Sequence, residues 1–349
     1  MKIFLVGGCV RDELLGIKSK DRDFVVFDAT EEEFLKRFPK AKKVGKKIPV
    51  YMVGRDEYTI SEFKNIYEDL QSRDLTINAI AKDRKGNIYA HEKAIEDLKN
   101  RVLRAISYEN FVADPLRVFR AARFSAEFPD FKVHDKLKEI LRKVGGNREL
   151  LSKISKERVA VETQKAISAR KPSNFFSLLI ETNALGFWFE ELKFLASKKR
   201  WLDLMDNFSG KKERVWLSLC YGFWENIKDK IETKKHLLNM TKRIGMPNRY
   251  VTYGRYFFDY YEKAIDIFSK DASIIRDVVL TLKKKNMLDD FFSVLEIATG
   301  QRYLFHLNEL AEKVTSIKLP EKYRGLGKKS GEILKKLQEK EIYKWLNSK

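Results

Sequence analysis

The chain has 349 residues, 44% hydrophobic and 34% charged, with only 17 Gly and 7 Pro; it can bury a real core and is neither a linker nor a disordered tail. Its 70 Lys and Arg against 50 Asp and Glu leave +20, more than a balanced charge-rich surface produces, so the expected partner is a polyanion, nucleic acid or nucleotide. Two cysteines exclude a disulfide framework, four scattered histidines exclude a His/Cys zinc cluster, and no apolar run reaches the ~18 residues of a membrane span; with Met1–Val6 too short for a secretory signal, a cytoplasmic protein is expected.

Residues 1 to about 105 read as mixed α/β and the remainder as helical. Ile3–Val6 is an apolar strand ending in Gly7-Gly8, and Val10–Leu15 opens a helix directly after the turn. Asp23–Phe27 is a second strand. Thr30–Phe38 is acidic at its start and basic at its end, as a helix dipole favours. Val50–Val53, behind Pro49, and Glu57–Phe63 are further strands. Phe111–Phe124 spaces apolar residues and arginines at the helical period. Gly145-Gly146-Asn147 interrupts that pattern, and helices continue to the end, punctuated by Pro172, Pro247 and Pro320. No internal repeat or low-complexity segment is present.

Four segments carry chemistry. Gly7-Gly8 between a strand and a helix lets the backbone approach a phosphate, and Arg11, one turn further, adds a charged fork. Alone, such a pair is an ordinary turn. Asp21 and Asp23 flank Arg22 at the start of a strand, so they share one face and Arg22 takes the other. Paired carboxylates repel unless a cation lies between them, and hard oxygen ligands beside a phosphate turn suit Mg²⁺ in two-metal phosphoryl or nucleotidyl transfer. The bland alternative is a solvated strand start. In Ser72–Ala79, Arg73 offers a fork for a triphosphate and Asp74 an acceptor for a ribose hydroxyl, or Ser72 or Asp74 merely caps a helix. In Asp114–Phe124, Pro115 suits a first helical position with Asp114 as cap. Asp114 and Arg117 then share a face, an acceptor beside a two-donor fork that can match the Watson–Crick edge of a base.

In this order the segments resemble the class II CCA-adding tRNA nucleotidyltransferases and the related bacterial poly(A) polymerases. The resemblance covers residues 1–165 through the GGxVRDxLLG turn (Gly7–Gly16), the DxD strand (Asp21, Asp23), RDxTINA (Arg73–Ala79), DPLRxxRAxRF (Asp114–Phe124) and Ser155–Glu162. Gly325–Leu337 is faintly similar to the family's tail. It implies an α+β fold. A polymerase-β-like nucleotidyltransferase head of mixed sheet and helices spans 1–105, a helical nucleotide-selecting neck 106–170, and an all-α tRNA-binding body and tail 171–349. It further implies that Gly8 and Arg11 hold the incoming triphosphate and that Asp21 and Asp23 bind two Mg²⁺. Arg73 grips phosphates, Asp74 the ribose, and Arg120 helps hold the nucleotide. Asp114 and Arg117 act as a protein template selecting CTP, or CTP and then ATP. The implied partner is tRNA, held at its acceptor stem and 3′ end by shape and phosphates; no membrane and no protein partner is implied. Trp188, Trp201, Trp216, Trp224, Tyr260 and Tyr261 are expected in the core rather than as RNA-stacking platforms.

The departures are specific. Ala113 stands where relatives often carry Glu, and Ser72 where many carry a second Arg. The histidine–aspartate phosphohydrolase motif of longer relatives is missing. Full CCA-adding relatives place a flexible, Gly- and Arg-containing loop after the strand corresponding to Tyr58–Phe63; here Lys64–Gln71 runs directly to Ser72. In the family a deleted loop accompanies enzymes that stop after CC, so CC addition is expected here. A poly(A) polymerase lacks support because no long basic C-terminal extension follows, and a silent RNA-binding relative has no reason to keep Asp21 and Asp23.

Overall fold

The computed structural model describes residues 1–18, 22–44, 49–195, 199–226 and 229–348, so Asp21 lies outside the described residues. Contacts divide the chain into two units, Met1–Ser155 with Ser177–Phe187, and Lys156–Phe176 with Trp188–Lys349.

The first unit opens with β1 (Lys2–Val6), α1 (Gly8–Leu14), β2 (Arg22–Phe27), α2 (Glu31–Arg37), β3 (Lys42–Val44), β4 (Val50–Val53) and β5 (Asp56–Ile60). It continues with α3 (Ile66–Gln71), a 3-10 turn at Thr76–Asn78, β6 (Ile80–Lys82) and β7 (Ile88–Ala90). The sheet order is β3-β4-β5-β2-β1-β6-β7, antiparallel throughout except for β2 against β5. Alternation along β2 divides the core. Val25 and Phe27 join Phe4, Val6 and the α3 residues Ile66 and Leu70 on one face. Val26 joins Ile3, Phe34, Tyr51 and Tyr58 on the other, with Phe24 packed against them. Asp23 therefore shares the α3 face and Arg22 the opposite one, where its guanidinium grips Asp56 through two bonds of 2.9 and 2.7 Å. Thr30 caps α2 through a reciprocal capping box with Glu33. The three-residue strands β3, β6 and β7 escape a sequence reading because so short a run shows no period.

Four more helices follow, α4 (Ala94–Lys99), α5 (Tyr108–Ala113), α6 (Arg117–Glu127) and α7 (Asp135–Gly145). The period over Phe111–Phe124 thus spans two helices. Pro115 cannot continue α5, and Asp114–Leu116 forms the corner between them. Asp114 is not the cap of a helix starting at Pro115; Leu116 takes that position, and the Asp114 carbonyl accepts from the Arg117 N–H at 3.0 Å. Asn147 caps the next short helix, Arg148–Ser152, after the glycine break.

The second unit is helical. Its longer helices span Lys156–Ala166, Lys212–Asn226, Lys230–Arg243, Asn248–Ala264, Ala272–Lys284, Leu288–Thr299, Leu304–Ser316 and Lys328–Asn347. Aromatic residues fill its core, with Trp216 edge-on to Tyr250 at 5.3 Å and Phe257 beside Phe291 at 5.6 Å. Gly222 is required by a close approach, because a Cβ there would lie 2.6 Å from Trp201 Cγ. Trp188, Trp201, Trp216, Trp224 and Tyr261 are buried as expected. Tyr260 is not: it is half-buried and stacks on Tyr256 with ring centroids 5.9 Å apart. Among the described residues no helix is long and apolar enough to cross a membrane.

Candidate functional site

The end of β1 turns through Gly7 at φ 72°, ψ −131°, a conformation that side chains reject. A Cβ at Gly7 would also lie 2.9 Å from Arg73 Nη1, so the turn and the arginine that follows α3 are in contact. Gly8 opens α1, close to Arg11 Nη2. Asp23 faces Val6 in the antiparallel register and is exposed. Its register partner on the parallel strand is Glu57, so a second exposed carboxylate occupies the same face. Cys9 lies against the Asp23 backbone, and burial pushes its thiol up, away from nucleophilic use. Among the described residues no three His, Cys, Asp or Glu form a metal-holding group.

Behind the turn, arginines and aspartates are joined by hydrogen bonds. Arg11 is buried: Nε and Nη2 donate to Asp12 Oδ1 at 2.9 and 2.7 Å, and Nη1 to Asn78 Oδ1 at 2.6 Å. Its guanidinium lies 4.6 Å from the Phe128 ring centre. Arg73 donates to Asp69 Oδ2 from Nε and Nη2 at 3.0 and 2.8 Å, and to the Asn78 carbonyl at 3.4 Å. Asp74 is buried. Its Oδ1 accepts from the Leu75 N–H at 2.8 Å and Asn78 Nδ2 at 3.0 Å, and its Oδ2 from Arg120 Nε at 2.8 Å. Burial pushes the Asp74 pKa up, but the Arg120 charge and these three donors outweigh it and hold the carboxyl well below the usual carboxylate range.

Arg117 opens α6 and donates from Nη1 to the Ser72 carbonyl at 2.7 Å. Burial lowers its pKa, against the opposing charges of Asp74 and Asp114. The two expected base-reading residues are therefore neighbours across the Pro115 corner rather than on one helical face. Ser72 ends α3 and caps no helix start.

Gly8, Arg11, Arg73, Asp74, Asp114, Arg117 and Arg120 thus belong to one contiguous region of the first unit, and Asp23 borders it. Arg11 differs from expectation in being enclosed, bracing the turn from behind. Residue-by-residue reading missed Asn78 and Asn110. Asn78 accepts from Arg11 and donates to Asp74, tying the Gly-Gly turn to the helix that carries Arg120. Its place four residues after Asp74 was visible, but its two partners are distant in the chain or buried.

Residues 3–60 and 46–104 match the poly(A) polymerase head domain, and residues 130–195 match the probable RNA and SrmB-binding site of polymerase A. The CCA-adding enzyme of Coxiella burnetii is 38% identical over 213 residues, 55% of this chain and 56% of the relative. The multifunctional CCA protein of Pasteurella multocida is 38% identical over 214 residues, 55% of this chain and 50% of the relative. The chain thus aligns with about half the length of these curated relatives. Among solved structures, the Bacillus stearothermophilus CCA-adding enzyme in complex with CTP has a TM-score of 0.71 at 23% identity, covering 99% of this chain and 89% of that one. The Thermotoga maritima CCA-adding enzyme complexed with tRNA has a TM-score of 0.67 at 22% identity, covering 99% and 90%. The sheet topology, the Gly7 turn against Arg73 and these matches agree: residues 3–104 match the poly(A) polymerase head domain, and over about half its length the chain is similar to CCA-adding enzymes.

Proposed function

We propose that the chain is a tRNA nucleotidyltransferase that extends an immature tRNA 3′ end from CTP without a nucleic-acid template. The observation that carries this reading is the contact of Arg73 with the Gly7 turn, on a strand whose last residue, Val6, is in register with Asp23. Gly8 and Arg73 receive the triphosphate, and Arg11 holds the turn in shape through Asp12 and Asn78. Asp74 fixes Arg120 beside the nucleotide; its carboxylate has room for about four hydrogen bonds, and a ribose hydroxyl takes the one left. Asp114 and Arg117 present an acceptor and donors to the base edge. Attack of the tRNA 3′-oxygen on the α-phosphorus breaks the bond to the β-phosphate and needs no protein nucleophile; positioning and charge carry it.

Asp21 and Asp23 would hold two Mg²⁺. The donor chemistry fits, since Asp23 is a hard, exposed carboxylate at a strand start with Glu57 beside it. Bound there, Mg²⁺ supplies positive charge that activates the 3′-hydroxyl and stabilises departing pyrophosphate.

The finer reading is that addition stops after CC. Cytosine and adenine need different arrangements of one pocket, and a mobile loop is the lever that lets a protein hold two. Here the corresponding stretch is a capped helix. The Asn65 side chain accepts from the Tyr67 and Glu68 N–H groups at 3.0 and 3.1 Å, and Ile66 and Leu70 are buried in the sheet core.

The test supplies purified protein with tRNA lacking its 3′ end and each labelled nucleotide separately, then with tRNA ending in CC and ATP alone. CTP incorporation with little or no A addition is expected. Single-A addition at a rate near that for CTP would overturn the CC-only reading and leave a full CCA-adding enzyme. Repeated A addition would favour a poly(A) polymerase, and no incorporation at all a silent RNA-binding relative.

A further inference from the structure

The end of α3 offers consecutive backbone carbonyls toward α5 and α6. Asn110, in α5, donates both hydrogens of its side-chain amide, to the Gln71 carbonyl at 2.8 Å and the Arg73 carbonyl at 2.8 Å. Both neighbours are acceptors, so the amide nitrogen must face them. Between these two carbonyls lies that of Ser72, which takes the bond from Arg117 Nη1 at 2.7 Å. The Asn110 carbonyl in turn accepts from the Asp114 N–H at 3.2 Å, and Ser107 Oγ, the cap of α5, accepts from the Asn110 N–H at 3.1 Å. One side chain therefore holds both flanks of the oxygen that orients Arg117 and, through its backbone, meets Asp114.

We propose that Asn110 is a specificity-determining positioning residue: it fixes the Ser72 carbonyl, hence the guanidinium of Arg117, and so sets base selection without touching the nucleotide. The proposal rests on the reading that Asp114 and Arg117 select the base. Asn is required because its amide supplies two N–H donors from one atom, whereas Asp is the same shape but would set a carboxylate oxygen against two carbonyl oxygens.

The experiment compares the full chain with Asn110→Ala, Asn110→Asp, Arg117→Ala and the Asn110→Ala/Arg117→Ala double variant. It measures kcat and KM for CTP and UTP on tRNA lacking its 3′ end, and tRNA affinity separately. Both Asn110 variants should lower the ratio of kcat/KM for CTP over UTP about tenfold, within the range of one well-made base contact. The loss should be chiefly in KM for CTP, with tRNA affinity kept. Because Asn110 acts through Arg117, the double variant should lose no more discrimination than Arg117→Ala alone. Equal loss of activity on both nucleotides, or a further loss of discrimination in the Arg117→Ala background, overturns the role of Asn110 while leaving base selection intact. If Arg117→Ala itself keeps full preference for CTP, the base-selecting reading fails and the proposal falls with it. Asn110→Asp, the isosteric variant, keeps the test open should the alanine variant fold poorly.

Discussion

Arg120 donates from Nε to Asp74 Oδ2 at 2.8 Å, joining the helix after the Pro115 corner to the segment that closes α3. The pair is asymmetric. Asp74 is buried, while a third of the Arg120 side chain reaches solvent. Asp74 is held below its ordinary pKa, so its charge stabilises the fold at pH values above the unfolded value of about 3.9. That contribution falls away as pH drops toward the lower folded-state value. Asp74→Asn should cost about 1.5–3 kcal/mol near neutral pH, the scale of hydrogen bonds to a charged group. Urea unfolding of wild type and variant across a pH series checks this, with the difference between them shrinking below about pH 4. A difference that stays constant down to pH 3 would contradict the assignment.

Asp21→Ala and Asp23→Ala should each lower nucleotide incorporation on the order of 10³-fold or more, since the charge they are proposed to hold is worth several kcal/mol in the transition state. Far-UV circular dichroism and tRNA affinity should be unchanged, because Asp23 is an exposed strand-start residue outside the core. Normal turnover by either variant in Mg²⁺ would remove the two-metal reading.

Asp114→Ala and Arg117→Ala should weaken the preference for CTP over UTP by about 1–3 kcal/mol, the worth of a good bidentate base contact. Their effect on tRNA binding should be smaller. Competition between labelled CTP and UTP on one tRNA gives the ratio directly; unaltered ratios in both variants would exclude the template role.

The net charge of +20 predicts a steep dependence of tRNA affinity on salt. Each phosphate neutralised adds roughly 0.7–0.9 to the slope of log affinity against log salt, through counterion release. Filter binding between low and moderate salt measures it, and a flat response would mean that the basic surface is not the RNA footprint.

Much was legible in the chain itself. Short-range patterns reveal the strand–Gly-Gly–helix opening, the acidic-to-basic polarity of α2, and the proline and glycine breaks between helices, because backbone conformation at these points depends on neighbours within a few residues. Motif order carries the resemblance to the CCA-adding enzymes, and the pleat alone puts Asp23 and Arg22 on opposite faces. The corner at Asp114–Leu116 is hidden in the sequence because the apolar period runs unbroken through it; only the helix-breaking geometry of Pro115 divides α5 from α6.

Tertiary structure decided which partners each polar side chain meets. Arg11 reads in sequence as a phosphate fork, yet it is buried between Asp12, Asn78 and Phe128. Asp74 reads as a cap or ribose ligand, and its bond to Arg120, 46 residues away, comes only from the fold. Asn110 carries no sequence signal, because its partners are backbone carbonyls at positions 71 and 73, and carbonyls look alike in every sequence. Local pattern determines where the backbone turns and which residue types are to hand. Pairing between segments dozens of residues apart depends on how strands and helices pack, and buried polar groups must find partners in that packing wherever the chain brings them.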